Sequence, residues 1–466
     1  MFKHKVNYIK YSKGIFLLYA ILILEFLLIP FFYLTSFSPF ILMLFAIVFC
    51  IMVVKNIAGF SFVLIGLSFC IPYSIVTDNA SLNNVSWWLY LLVRLVILFS
   101  FFYFIFFRGK KIYPLSNGVI IISCLILFLS LIYSLIDSDT KEFLNWVNTI
   151  IYFVLFFYIS YYDRITLKTS FRLFNLLFYL TTLYVIIDYY TDYHPYRFLY
   201  AENLVFSKET SSIYRAKGVL GHPLILSALV IIYQFVLYIK AILYKEFSVF
   251  GFLLVLFVGL LTVSKTVLII LFFQFIIYYF LSKSYKSLKK NFILITFFLV
   301  ASFTTFLFNN SIINNFFERV ESSEVDHRAA AYQSSFDFFV DNVFGVGREE
   351  VMSKIVSGGY SAPGLVKDFN TLDNFFLTQI AGYGIFSILV FMFYFFFLTN
   401  SFFYRKIDKR MFRLNLLLGF LWCSLAFSFN LEHYMCILIL FAFLYSLLLK
   451  EIDYKRHLLK KNIIKY

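Results

Sequence analysis

Three basic side chains, Arg215, Lys217 and His222, lie close together in the run YRAKGVLGHPLILSALV. An Arg guanidinium keeps its charge and binds two phosphate oxygens at once, so these residues are suited to hold phosphates at a membrane surface. Pro223 is typical of the first turn of a helix, which places the cations where a helix begins. The alternative is structural, because Lys and Arg at helix ends often only extend toward the interface. A lone His is also more often structural than catalytic.

A second group of polar residues comprises His327, Arg328, Asp373 and Asn374. A carboxylate at the mouth of a partly dry cavity can accept a proton from a hydroxyl, so Asp373 is the candidate base. Arg328 is a further candidate anion ligand, and His327 and Asn374 are candidate substrate ligands. The structural alternatives are that Arg328 faces water on a surface helix, and that Asp373 is only the N-cap of the next helix.

The segment after Arg328 has the spacing of a helix. Its apolar residues recur at i, i+4, i+7 and i+8: Tyr332, Phe336, Phe339 and Val340. This pattern predicts an amphipathic helix lying on the outer membrane surface, with Asp326 helping to cap it and the run FGVG closing it in a tight turn.

Two further polar interruptions fall within apolar sequence. Ser264, Lys265 and Thr266 separate two apolar runs and predict a tight outward turn, with Lys265 as another candidate substrate ligand. Arg94 lies inside a predicted span, where a charge is costly enough to require a partner or a ligand. Glu25 is one candidate partner.

The composition indicates the elements that must position these residues. Of the 466 residues, 62% are hydrophobic and 14% are charged, whereas a soluble chain carries about 25% charged residues. The apolar runs have the length that a helix needs to cross a hydrocarbon core of about 30 Å. Helices satisfy their own backbone hydrogen bonds, so we predict an all-α, polytopic transmembrane bundle of about 14 spans (12–14).

The basic residues predict the orientation of this bundle. Alternate loops hold 28 of the 40 Lys and Arg residues, which places those loops and both termini in the cytoplasm. The net charge of +15 therefore needs no nucleic acid to explain it. We expect one integral membrane domain over residues 1–466. Two long outer loops, 191–217 and 309–372, would carry the function on a rigid scaffold.

These runs resemble four segments of the O-antigen ligase and O-antigen polymerase (Wzy-type) superfamily. YRAKGVLGHPLILSALV is similar to its Arg-x-x-Gly…Pro segment, and LTVSKTVLI to its turn between two spans. The outer-loop helix of the superfamily, which ends in Gly-x-Gly, is similar to HRAAAYQSSFDFFVDNVFGVG. Its polar motif before a span is similar to LDNFFLTQIAGYGIFSILVF. The four segments occur in the same order over about residues 200–390. The chain departs from the family pattern in two positions. Lys265 stands where Arg is commoner. Asp373-Asn374 stands where ligases typically have His-Asn, and this Asp-Asn pair is more like the polymerases.

The resemblance implies a metal-independent, cofactor-free membrane glycosyltransferase of the bacterial cytoplasmic (inner) membrane. Its donor would be an oligosaccharide on undecaprenyl pyrophosphate at the outer face, and its product O-antigen or capsular polysaccharide. Arg215 and Arg328 would stabilise the leaving pyrophosphate, and Asp373 would accept the hydroxyl proton. Membrane lipid and a chain-length regulator protein are the implied partners, and no nucleic acid is expected.

Two other functions are compatible with a membrane protein of this kind. A ligase would transfer the glycan to lipid A core or to protein with the same donor chemistry. A flippase of lipid-linked oligosaccharide would have charges lining a central cavity and internal repeats, and no convincing repeat is present in this sequence.

Overall fold

The structure, a computed structural model, describes thirteen segments of the chain. They are residues 15–29, 38–70, 80–109, 117–136, 140–191, 215–246, 248–262, 264–281, 324–348, 350–363, 374–403, 409–428 and 435–460. Within these segments every regular element is helical, so the predicted all-α class is confirmed for the part of the chain that the structure describes. The chain divides into two compact units.

The first unit comprises Met1–Ile112, Ile151–Ile312 and Met435–Tyr466. Its described helices are α1 (Ile15–Ile29), α2 (Ser38–Lys55), α3 (Phe60–Cys70), α4 (Ala80–Phe102), α7 (Phe156–Tyr162), α8 (Leu167–Thr191), α9 (Pro223–Tyr244), α10 (Val249–Leu261), α11 (Lys265–Leu281) and α17 (Met435–Lys460).

The second unit comprises Tyr113–Ile150 and Ile313–Tyr434. Its described helices are α5 (Asn117–Ile136), α6 (Lys141–Thr149), α12 (Glu324–Asp341), α13 (Val351–Ser357), α14 (Phe375–Tyr383), α15 (Ser387–Phe403) and α16 (Lys409–Ser428). A π-helical turn, Ile150–Leu155, joins α6 to α7.

Five helices among the described residues are long and apolar enough to cross a membrane. They are Val119–Ile136, Lys141–Tyr162, Leu167–Thr191, Pro223–Tyr244 and Phe375–Phe395. Shorter apolar helices of 10–17 residues include Ile15–Ile29 and Phe60–Cys70. The predicted number of spans and the single domain over residues 1–466 stay predictions.

Two helices extend further than their apolar runs suggested. The basic segments 163–172 and 240–246 were expected to be loops, but α8 begins at Leu167 and α9 continues to Tyr244. A helix that leaves the hydrocarbon can add polar turns without exposing unpaired backbone, so hydropathy alone ends it too early. Several cations that we assigned to loops therefore lie on helical turns.

The first unit uses Asp163 to bind irregular backbone. Its Oδ1 accepts from Gly59 N at 2.7 Å, and its Oδ2 accepts from Ser61 N at 3.0 Å, at the start of α3. Lys450 Nζ on α17 donates to the Asp163 carbonyl at 2.7 Å. Asp163 therefore holds three separate parts of the chain together with hydrogen bonds to charged groups, which are the stronger kind.

The suggested pair of Glu25 and Arg94 is wrong. Arg94 Nε donates to Tyr152 Oη at 2.9 Å, and its guanidinium lies 6.0 Å from the centre of that ring. Glu25 is fully buried, and its carboxylate faces Gly66 so closely that a Cβ there would lie 2.0 Å from Oε2. The hydrogen-bond partner of Arg94 is thus the phenol of Tyr152 and not the carboxylate of Glu25.

In the second unit, the loop after α12 packs backbone to backbone against the end of α14. Val346 N and Gly347 N both donate to Gly382 O at 2.8 Å, and Ile385 N donates to Val343 O at 2.8 Å. A Cβ on Gly345 would lie 2.2 Å from Gly382 O. The Gly-x-Gly run is therefore needed because no side chain fits between the two backbones.

A pair of glycine substitutions tests this close approach. Gly345 and Gly359 both have positive φ, +78° and +80°, but a Cβ on Gly359 would meet nothing within 4 Å. Both Ala variants carry the conformational cost, and Gly345→Ala adds a clash that we expect to lower stability by a further 1–3 kcal/mol or so. Thermal unfolding of the two purified variants measures the difference, and equal melting temperatures would contradict the packing argument.

Candidate functional site

The segment Arg215–His222 is held in place by a buried carboxylate on α8. Asp188 is fully buried, and its Oδ2 accepts from Lys217 N at 2.6 Å and from Gly218 N at 2.9 Å. Gly218 has φ +56°, and a Cβ there would lie 2.8 Å from a methyl of Val185. Glycine at position 218 thus allows both the left-handed backbone conformation and the close contact with α8.

The start of this segment is also tied to the end of α10. Ala216 N donates to Leu261 O at 3.0 Å, and Arg215 Nε donates to Thr262 O at 3.0 Å. The last carbonyls of a helix carry partial negative charge, so this is a favourable position for a guanidinium. Arg215 is partly exposed, whereas Lys217 is 8% exposed. The two cations are therefore placed by backbone contacts on either side of Ala216.

His222 is the N-cap of α9, and Pro223 occupies the first turn as predicted. Its Nδ1 accepts from Leu224 N at 3.2 Å, so the ring has a structural role. Burial, together with the smaller effect of the charges of Arg215 and Lys217, lowers the pKa of His222 from 6.5 to about 4. His222 is accordingly neutral at physiological pH, which keeps Nδ1 available as an acceptor.

This pKa gives the protein a defined sensitivity to acid. Below pH 6.5 the unfolded chain protonates His222, whereas the folded protein resists protonation until about pH 4. The stability that neutral His222 contributes is therefore present above pH 6.5 and is lost as the pH falls toward 4, with a slope of at most about 1.4 kcal/mol per pH unit. Thermal unfolding between these pH values should show a flatter dependence for His222→Asn, which retains a capping side chain. An unchanged slope would contradict the prediction.

In the second unit, Asn374 joins the start of α14 to α12. Its Oδ1 accepts from Leu377 N at 3.2 Å, and its Nδ2 donates to Tyr332 Oη at 2.8 Å. The N-cap of α14 is thus Asn374, and the alternative reading of Asp373 as the cap is wrong. Arg328 occupies the helix position one turn before Tyr332, which is the turn nearest to this contact.

Several of the predicted site residues are only partly described. Asp373 lies outside the described residues, as does most of the predicted outer loop 191–217. His327, Arg328 and Lys265 are placed as helical positions, and their roles stay predictions. The turn before Lys265 is as short as expected, since α10 ends at Leu261 and α11 begins at Lys265.

The helix that contains Arg328 differs in its first turn from its prediction. It begins at Glu324, so Asp326 lies inside the first turn and is not its cap. The side of α12 that packs on protein is formed by Ala330, Ala331 and Phe338, against α13 and α14. The predicted apolar stripe is largely on the opposite side, where Tyr332 (44%), Phe336 (66%) and Val340 (55%) are exposed, and its contact with the membrane surface stays a prediction.

The second unit also contains a buried polar cluster that our sequence analysis missed. Arg348 Nε lies 3.2 Å from Glu142 Oε1, and both side chains are almost fully buried. Tyr383 Oη donates to the same Glu142 oxygen, Trp146 Nε1 donates to Tyr383 Oη, and the Arg348 guanidinium lies 5.0 Å from the Trp146 ring centre. Arg348 directly follows the FGVG loop, so this cluster anchors the loop.

A signal for the missed residues was present in the sequence. Asp188 and Glu142 are carboxylates at the ends of apolar runs, and Arg348 follows Gly347 directly. An ionisable residue at a membrane boundary requires a partner, so each could have been singled out. Their partners are distant in the chain, however, and spacing alone does not identify them.

The fold and these contacts define an all-helical, multi-pass membrane protein with cations fixed on irregular segments at helix ends. Residues 250–392 match the family model described as O-Antigen ligase (Wzy_C). The match covers about a third of the chain, and over that segment it confirms the resemblance to the O-antigen polymerase and ligase superfamily. The match includes Lys265, Arg328 and Asp373, whereas Arg215 precedes it. Comparison with curated proteins gave no match.

Proposed function

We propose that this protein is a membrane glycosyltransferase that joins lipid-linked oligosaccharide repeat units into O-antigen or capsular polysaccharide. A hydroxyl oxygen of the acceptor sugar attacks the anomeric carbon of the donor glycan. The bond from that carbon to the pyrophosphate oxygen breaks, and undecaprenyl pyrophosphate leaves. The observation that carries the proposal is the family match over residues 250–392, which is separated from the cationic segment Arg215–His222 by α9.

The electrostatics of the first unit support this reaction. The leaving pyrophosphate gains negative charge as the bond breaks, and cations already fixed in place stabilise it without a reorganisation cost. The guanidinium of Arg215 is held by Thr262 O and the backbone of Lys217 by Asp188, so the Arg215 charge and the main chain beside it are preorganised in this sense. The neutral state of His222 leaves it able to bind a sugar hydroxyl or a phosphate hydroxyl without adding charge.

The contacts of the second unit support a role for the Asp373-Asn374 pair. Asn374 is fixed at both ends of its amide, by Leu377 N and by Tyr332, so the backbone next to Asp373 is restrained. Arg328 is placed one helical turn from Tyr332 on α12. We propose that Asp373 accepts the hydroxyl proton of the acceptor and that Arg328 contributes positive charge toward the pyrophosphate.

A ligase is equally compatible with the family match, because it uses the same donor and differs only in the acceptor. The Asp-Asn pair favours the polymerase, since ligases of this superfamily typically have His-Asn. The product distinguishes the two functions. A ladder of carrier-linked chains formed from repeat units alone indicates a polymerase, and glycan attached to lipid A core or protein indicates a ligase.

Substitution of the two arginines tests the proposed donor chemistry. Arg215→Ala and Arg328→Ala should each lower polymer formation by roughly 100-fold or more, because each removes a charge that stabilises the leaving group. Polymer length is measured on gels after reaction of purified protein with lipid-linked repeat units. Arg108→Ala is the control, since Arg108 is exposed on the predicted cytoplasmic side, where its side chain donates to the Val54 carbonyl and lies 5.7 Å from the centre of the Tyr103 ring. Normal long chains from Arg215→Ala or Arg328→Ala, with normal protein level in the membrane, would refute the assignment.

Substitution of Asp373 tests the proposed base. Asp373→Asn removes the basic oxygen and keeps the shape of the side chain, so we expect turnover to fall by about 100-fold while donor binding changes little. Initial rates measured over a range of concentrations of purified repeat units separate the effect on turnover from the effect on donor binding. Near-normal turnover would show that Asp373 does not act as a base.

A further inference from the structure

A small polar cavity lies in the first unit between the start of α8 and the end of α9. Its volume is about 170 Å³, well above the space that one water molecule needs. Lys168, Arg172 and Asn175 line it from α8, at positions i, i+4 and i+7 on one face of the helix. Lys240 and Tyr244 line it from α9, again one turn apart. Three cations from two helices therefore converge on one cavity.

The charges of this cavity are unbalanced. Glu246 also lines it, and its Oε2 lies 3.2 Å from Lys240 Nζ. Among the described residues, Lys168 and Arg172 form no ion pair, and both are exposed. The lining thus has an excess of two positive charges, which Glu451 near Tyr244 offsets in part, and the remaining positive charge attracts an anion.

Two local features strengthen the case for an anion. Lys168 and Arg172 lie in the first two turns of α8, where the helix dipole opposes positive charge and favours negative charge. Tyr233 Oη donates to Asn175 Oδ1 at 2.7 Å, so the amide presents its Nδ2 hydrogens as donors. The cavity therefore combines cations with a hydrogen-bond donor, which is the chemistry that recognises a phosphate group.

The cavity is remote from the proposed catalytic segment. His222 caps one end of α9, and Tyr244 ends the other, 22 residues later. At 1.5 Å per residue this helix is about 33 Å long, close to the thickness of a hydrocarbon core. The basic-residue bias predicts that the Tyr244 end faces the cytoplasm.

We propose that this cavity, lined by Lys168, Arg172, Asn175 and Lys240, binds a phosphate group on the cytoplasmic side of the membrane. An anionic phospholipid of the inner leaflet and free phosphate both supply that group. The proposal does not depend on the glycosyltransferase function, because it concerns the opposite end of α9.

The test uses the full chain in detergent, titrated with phosphatidylglycerol and followed by native mass spectrometry. Lys168→Gln/Arg172→Gln should weaken binding of the tightest lipid by roughly tenfold to thirtyfold, since each removed cation lowers the attraction for a phosphate. Lys55→Gln/Arg108→Gln is the matched control, because these two cations are also exposed on the predicted cytoplasmic side and line no part of this cavity. Equal affinity of the Lys168→Gln/Arg172→Gln protein and the wild type would overturn the proposal.

A second variant keeps the test decisive if the double variant folds poorly. Glu246→Gln removes the one carboxylate that lines the cavity and leaves all three cations, so binding should become several-fold tighter. Unchanged or weaker binding by Glu246→Gln would count against the site.

The source of the phosphate is identified in nanodiscs of phosphatidylcholine. Thermal stabilisation by inorganic phosphate that is lost in Lys168→Gln/Arg172→Gln shows that the phosphate group alone is bound. Stabilisation that requires phosphatidylglycerol in the nanodisc, and is lost in the same variant, shows that the ligand is the lipid. Absence of both effects in the wild type would refute the site.

Discussion

Lipid offers no hydrogen bonds, so a backbone amide that leaves a helix within the hydrocarbon must find an acceptor within the protein. The structure meets this constraint in the same way at three places. Asp188 accepts from two amides of the cationic segment, and Asp163 accepts from two amides at the start of α3. Gly382 O accepts from two amides of the FGVG loop. Each irregular segment is thus fixed by one acceptor that serves two donors.

The same constraint explains how the backbone of the cationic segment Arg215–His222 is fixed next to helix ends. Arg215 is positioned through its hydrogen bond to Thr262 O, and the backbone of Lys217 is positioned through Asp188. The buried Asp188 compensates part of the local charge, and it does so through amide hydrogens. In the second unit, by contrast, Arg348 is paired with Glu142 and stacked near Trp146, which is typical of a structural ion pair. The two arrangements thus differ: a backbone carbonyl and a carboxylate that binds amides fix the first segment, and a buried ion pair fixes Arg348.

Much of this organisation follows from the sequence alone. Hydropathy predicts the helical class, Pro223 predicts the first turn of α9, and FGVG predicts a close turn, because each depends on residues that are neighbours in the chain. Hydropathy placed the start of α8 too late, since polar turns continue a helix beyond the lipid. The spacing of Tyr332, Phe336 and Val340 correctly indicated a helix, but not which of its sides packs on protein. Small residues, Ala330 and Ala331, form that side, and their low hydropathy hides it.

The hydrogen bonds of Asp188 have a consequence for the biogenesis of the protein. Lys217 and Gly218 follow Asp188 by 29 and 30 residues, so the two hydrogen bonds that fix the cationic segment on α8 form only after α8 itself has been synthesised. The segment is therefore positioned just before α9 begins at Pro223, by a residue of a helix made earlier.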